Sequence, residues 1–97
     1  MADYLLTPKG HADLAQIWAE SADRWGQAQA DTYVTALTGT FALIADFPSM
    51  APLRREFTPP LRIHPHGSHL ILYVGADPIT IVRVLHGRQD LLAALDG

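Results

Sequence analysis

Four prolines fall between residues 48 and 60: Pro48, Pro52, Pro59 and Pro60. Proline fixes φ and removes an N–H donor, so neither a helix nor a central strand is expected through such a stretch. The cluster splits the chain into two parts with different hydrophobic periods. Only 97 residues are present, which is room for one domain, residues 1–97. The two parts must therefore pack on each other.

The first part is helical in period. Tyr4-Leu5-Leu6 is a short apolar run suited to a strand. Thr7-Pro8 then supplies an N-cap and a proline in the first turn. Apolar residues recur at Leu14, Ile17/Trp18, Ala22 and Trp25, a stripe at helical spacing. Gly26 interrupts it. A second stripe follows at Ala30, Tyr33/Val34, Leu37, Phe41 and Ile44 and ends before Pro48. Two helices joined at Gly26 form an antiparallel hairpin. On this stripe Trp18 and Trp25 are expected mainly in the core, with contact to a partner as the second reading.

The second part has the period of strands. Residues 48–60 are expected to lack regular structure. Leu61–His64 reads as a strand ended by Pro65, and His66-Gly67 as a turn. His69–Val74 and the β-branched Ile79–His86 flank the loop Gly75-Ala76-Asp77-Pro78. By simple alternation Ile79, Ile81, Arg83 and Leu85 share one face, so Arg83 lies among aliphatics and needs a partner. Residues 88–95 have the composition of a short helix. The order β-α-α-β-β-β(-α) is an α+β fold: an antiparallel sheet with a helical hairpin packed on one face.

Composition narrows the function. Apolar residues make up 48% and charged residues 18%, which excludes a disordered chain. No apolar run approaches the roughly 20 residues that span a membrane. The N-terminus has neither a basic segment nor an apolar one after it, so no signal peptide is expected. There is no cysteine, hence no disulfide framework and no thiolate-held metal. These readings point to a small cytoplasmic protein with no membrane association. A chain of this size buries only about 60–65% of its unfolded surface, so a bound partner adds stability.

The net charge of −3 is unevenly divided. Residues 1–48 carry Lys9 and Arg24 against six carboxylates, a net −4. Residues 49–97 carry Arg54, Arg55, Arg62, Arg83 and Arg88 against four, a net +1. Arginine suits bidentate contact with carboxylate or phosphate, so the second half is the place for an anionic or acidic partner. The alternative is five ordinary surface residues. Net acidity argues against direct non-specific nucleic-acid binding.

Two segments invite chemistry. His64-Pro65-His66-Gly67-Ser68-His69 suggests a metal, but no carboxylate or thiol is spaced to complete a site, and no metal or other cofactor is expected. The run Arg83 to Asp90 gathers Arg83, His86, Arg88 and Asp90 at a strand end. It is either an anion site or a strand exit in which Arg83 pairs with Asp90. No nucleophile elbow, phosphate loop or HExxH occurs, and no catalytic residue is assigned.

The chain resembles the ParE branch of the RelE/ParE toxins of bacterial type II toxin–antitoxin systems. The resemblance runs through Tyr4-Leu5-Leu6-Thr7-Pro8, Ile17-Trp18, Trp25-Gly26, Phe47-Pro48-Ser49-Met50, Leu61-Arg62, Gly67-Ser68-His69-Leu70 and Ile81 to Asp90. It implies a toxin that binds DNA gyrase rather than an enzyme. It also implies neutralisation by a ParD-like antitoxin, through which alone operator DNA is met. The RelE branch instead cleaves mRNA in the ribosome. Its basic residues are poorly matched: His69 stands where an arginine is usual, and no lysine occurs in the second half. His69 and His86 facing each other near Arg62 would favour that branch. A third reading is an inactive toxin fold that serves only as co-repressor or interaction module. Arg62, His69, Arg83, His86 and Arg88 are the candidates for target contact. Trp18, Trp25, Arg54, Arg55, Arg62 and Arg83 are the candidates for antitoxin binding.

Overall fold

The computed structural model describes residues 3–96. Its elements are β1 (Tyr4–Leu6), α1 (Pro8–Trp25), α2 (Gln27–Asp46), a 3-10 turn (Pro48–Met50), β2 (Leu53–Arg54), β3 (Leu61–His66), β4 (His69–Gly75), β5 (Ile79–His86) and α3 (Leu91–Asp96). The α+β class and the order of the principal elements are as the sequence suggests. The sheet runs β1-β5-β4-β3-β2. Its β2 to β5 pairings are antiparallel, and β1 joins β5 in parallel, with Tyr4 opposite Ile79 and Leu6 opposite Ile81.

Local chemistry explains the helix ends. The Thr7 backbone is extended, and its hydroxyl oxygen accepts the Gly10 N–H at 2.9 Å, with Pro8 opening the helix. Gly26, at φ +92°, separates α1 from α2. Its carbonyl accepts the Ala30 N–H and its own N–H donates to Ala22, so one residue closes one helix and opens the next. A positive φ there favours glycine.

The sheet is covered on both faces. The hairpin buries Ile17, Leu37, Phe41 and Ile44 against Ile71, Tyr73, Ile79, Ile81 and Val84. The Tyr73 hydroxyl donates to the Pro48 carbonyl at 2.7 Å, fixing the 3-10 turn that follows α2 to the sheet. On the opposite face Phe57, Leu61, Leu72 and Leu85 form a second cluster, over which Leu91, Ala94 and Leu95 of α3 pack.

Three expectations for the second half are corrected. Residues 48–60 are not wholly irregular, because Leu53–Arg54 pairs with β3. Pro65 does not end β3; it pairs with Leu70 inside the strand, and Gly67-Ser68 makes the turn. Proline is tolerated there because β2 covers only Leu61 and Arg62, leaving the rest of that edge unpaired. Simple alternation also fails along β5. Tyr73 pairs with Ile81 but Leu72 pairs with Arg83, so Val82 is an extra residue, a β-bulge. The bulge turns the following residues over. Val84 joins Ile79 and Ile81 in the hairpin-facing core, while Leu85 joins the opposite cluster.

The helix stripe is rotated as well. The buried positions of α1 are Gly10, Asp13, Ile17 and Ser21, two of them polar. A Cβ on Gly10 would lie 3.1 Å from the Ile81 carbonyl oxygen, so α1 starts very close to β5.

Candidate functional site

Beyond Leu6, the outer edge of β5 has no strand partner, and side chains from the start of α1 take that place. The Thr7 hydroxyl donates to the Val82 carbonyl at 2.6 Å. The Asp13 carboxylate accepts the Val84 N–H at 2.9 Å and the Arg83 guanidinium at 2.8 and 3.0 Å. Arg83 Nη1 also donates to the Ala94 carbonyl of α3. The pair is mostly shielded from water, and the hydrogen bonds to Asp13 raise the Arg83 pKa above its ordinary value. The partner of Arg83 is thus Asp13 and not Asp90. One carboxylate closes the strand edge and holds the arginine, which in turn reaches α3.

Because of the bulge, His86 emerges on the same side as His69, its register partner. Their ring centroids are 5.6 Å apart. Tyr33 of α2 stands against His69 and His66, with ring centroids 5.6 Å away in each case. Its hydroxyl is 3.2 Å from the His66 carbonyl oxygen and 2.7 Å from His69 Nδ1. The shorter of the two contacts ties the phenol to the imidazole, and its direction follows from which ring nitrogen of His69 carries the proton. Burial, and then the neighbouring His86, lowers the His69 pKa, with Glu20 opposing. Burial raises that of Tyr33. Gly67 makes this approach possible: it turns at φ +56°, and a Cβ there would lie 2.8 Å from the Tyr33 hydroxyl oxygen.

His69 and His86 lie in the wall of a half-open cleft of about 740 Å³ between the strand ends and the closed end of the hairpin. Glu20, Asp23, Arg24 and Trp25 of α1 form the opposite side, with Ile17, Ser21, Gln29, Tyr33 and Ser68 completing it. Trp25 is not in the core; it is 64% exposed. As the last residue of α1 it sits beyond the sheet, with the Arg24 guanidinium 5.6 Å from its ring centroid. Trp18 is half-buried and donates from its indole to Asp31 at 2.7 Å, linking the two helices.

The other named residues are dispersed. Arg62 pairs with Tyr73, toward the far end of β3 from His66, and donates to the Ala51 carbonyl. Arg54 forms an exposed ion pair with Glu56 and lies over Phe57. Arg55 and Arg88 are exposed and make no ion pair among the described residues. The Arg88 N–H donates to His86 Nδ1 at 3.1 Å. Of the five residues named for target contact, the fold brings His69, His86 and Arg88 to one end and separates Arg62 and Arg83 from them. No group of three or more metal-ligating side chains is assembled among the described residues.

The cleft residues Glu20, Asp23, Arg24, Gln29 and Tyr33 were not marked by their sequence context. Tyr33 sits on an apolar stripe and reads as core, the other four carry no motif, and Ser68 lies within the histidine-rich run without being a candidate itself.

The family model for the ParE toxin of type II toxin–antitoxin systems matches residues 4–91. The chain belongs to the ParE toxin family. Relatives of this ParE-family toxin include Toxin ParE1 of Caulobacter vibrioides, 35% identical over 98% of this chain and 99% of the relative. Toxin ParE1 of Mycobacterium tuberculosis is 38% identical over 91% of this chain and 92% of its own length. A solved structure described as the chromosomal ParDE toxin–antitoxin system from P. aeruginosa superposes with a TM-score of 0.73. It is 19% identical, covering 89% of this chain and 96% of that one. The ParE fold is therefore common to both chains. This ParE chain is a toxin of a type II toxin–antitoxin system, and no helix among its described residues is long and apolar enough to cross a membrane.

Proposed function

We propose that this toxin acts by binding a protein target, DNA gyrase, and is held inactive by a ParD-like antitoxin that also carries it to operator DNA. The observation that carries the reading is similarity to Toxin ParE1 along almost the whole of both chains. The solved relative, described as a ParDE system, supports an antitoxin of that kind.

The RelE-like reading depends on His69, His86 and Arg62 acting together. The two imidazoles do face each other, but Arg62 lies toward the other end of β3 and is turned to Ala51. Glu20 and Asp23 across the cleft oppose a phosphate. The protein-binding reading is the better supported.

Induced expression in bacteria tests the target. Filamentation with a DNA-damage response is expected. Rapid translation arrest with cleaved mRNA would instead select the RelE-like reading, and no phenotype would select the inert module. Co-purification with the product of the adjacent small open reading frame tests the antitoxin, and failure of the two to associate would remove that part.

A further inference from the structure

Four large apolar side chains stand in water where α2 runs into the 3-10 turn and β2. Leu43 is 46% exposed, Phe47 61%, Met50 45% and Leu53 39%. Leu43 and Phe47 are one helical turn apart, so they share a side of the helix end. The Met50 N–H donates to the Phe47 carbonyl at 3.0 Å, which folds the turn back on the helix. Leu53 follows on β2, the outermost strand on that side of the sheet. The α2 surface beside the patch offers no charge either, because residues 32–45 contain none. A contiguous apolar patch left exposed by a single chain marks an interaction site more often than not.

Two charges border the patch, and the chain answers neither. Asp46 ends α2, is exposed, and lies on the side of Leu43. A carboxylate is disfavoured at the negative end of a helix, and the last turn of α2 holds no basic residue to offset it. Arg55 comes just after β2 and is also exposed. The ion pairs among the described residues are Arg54–Glu56 and Arg83–Asp13, and the side chains of Asp46 and Arg55 make no hydrogen bond. One apolar patch thus carries one unanswered charge of each sign.

That combination selects the occupant. A partner surface of a single sign would satisfy one of the two charges and repel the other. A second copy of the chain brings both. About a two-fold axis, if a first residue meets a second across the interface, the second also meets the first. Met50 lies midway between Asp46 and Arg55 along the chain. An axis beside it sets apolar side chains against apolar side chains and each carboxylate against a guanidinium.

We infer that this patch is a homodimer interface, in which Asp46 of one protomer pairs with Arg55 of its partner around an apolar centre of Leu43, Phe47, Met50 and Leu53. The inference goes beyond the target and antitoxin readings and depends on neither. A tight interface covers about 800 Å² on each partner. Four half-exposed side chains offer less, so association in the micromolar range is expected.

Sedimentation equilibrium of the full chain, from about 1 to 300 μM, tests it. The mass should climb from the 10.6 kDa of one chain toward twice that value. Phe47→Ser, at an exposed position, should weaken association by roughly tenfold or more. Asp46→Arg and Arg55→Asp each set like charges together and should weaken it by a similar factor. An equimolar mixture of those two reversal variants restores both pairs, Arg with Asp at each end, and should dimerise about as well as the wild type. Circular dichroism verifies that each variant is folded; if a reversal variant is not, the wild-type series and Phe47→Ser still decide the matter. The inference is overturned if the wild type stays monomeric throughout, which would leave the patch to a different protein. It is also overturned if Phe47→Ser dimerises as tightly as the wild type, or if the mixture associates no better than either reversal variant alone.

Discussion

At the scale of single residues, Asp13 is the most heavily used side chain. It accepts two guanidinium hydrogen bonds and one backbone N–H. Removing one member of a shielded ion pair leaves the other uncompensated, at a cost of about 3 kcal/mol or more. Asp13→Ala should therefore lower the urea midpoint substantially. Asp13→Asn keeps an acceptor for the Val84 N–H and should lie between it and the wild type. Equal midpoints for all three proteins would contradict this role. A second residue-scale prediction concerns acid. The His69 and His64 pKa values are both lowered, chiefly by burial. Between the lowered value and the ordinary one, about 6.5, the unfolded chain holds a proton that the folded chain does not. Stability is thus fully present above about pH 6.5 and falls as the pH drops through the folded values. Urea midpoints from about pH 7.5 to 5.5 should decline, and His69→Gln should flatten part of the decline. A pH-independent midpoint would rule this out. The need of Arg83 for a partner was legible in its sequence context; the identity of the partner was not, because Asp13 is seventy residues away along the chain.

Among the elements, the hydrophobic period located β1, α1, α2 and β5. The limits of β1 and β5 are as expected, and α2 runs from Gln27 to Asp46 where the sequence set only a stripe from Ala30 to Ile44 ending before Pro48. The period missed the bulge at Val82 for a physical reason. Ile81-Val82-Arg83-Val84 contains no glycine or proline to mark a break, and the extra residue is defined only by register against Leu72 and Tyr73. That omission had the largest consequence for function. Without the bulge, Arg83 would face the hairpin and His86 would point away from His69. Deleting Val82 should leave every cross-strand pair and every facing in place, because Ile81 and Arg83 then oppose Tyr73 and Leu72 in plain alternation. What it removes is the Val82 carbonyl that accepts from Thr7. We expect a folded chain of reduced stability with a native-like NMR spectrum and the His69–His86 contact retained. Loss of dispersed NMR signals would refute it. Thr7→Val removes the cap of α1 and the partner of the Val82 carbonyl together. Loss of such a cap typically costs about 1 kcal/mol, and the orphaned carbonyl adds to it. A midpoint unchanged from wild type would show that neither bond contributes.

Across the whole molecule, the sheet separates two apolar clusters of unequal cover. The larger lies under a hairpin of two long helices, and the smaller under α3, which is six residues long. Ending the chain after Asp90 should uncover Leu72 and Leu85, raise binding of an apolar dye and lower stability, since burying one leucine contributes about 1.5–3 kcal/mol. No increase in dye binding would show that α3 does not shield that face. The two outer boundaries of the sheet also differ from those of most open sheets. On one side Thr7 and Asp13 occupy the hydrogen-bonding groups of β5 past Leu6. On the other, the part of β3 that β2 leaves uncovered contains Pro65, which has no N–H to offer. A neighbouring chain in solution therefore finds no continuous template on which to add a strand. Copies of this toxin have little means of polymerising through one long, continuous strand edge.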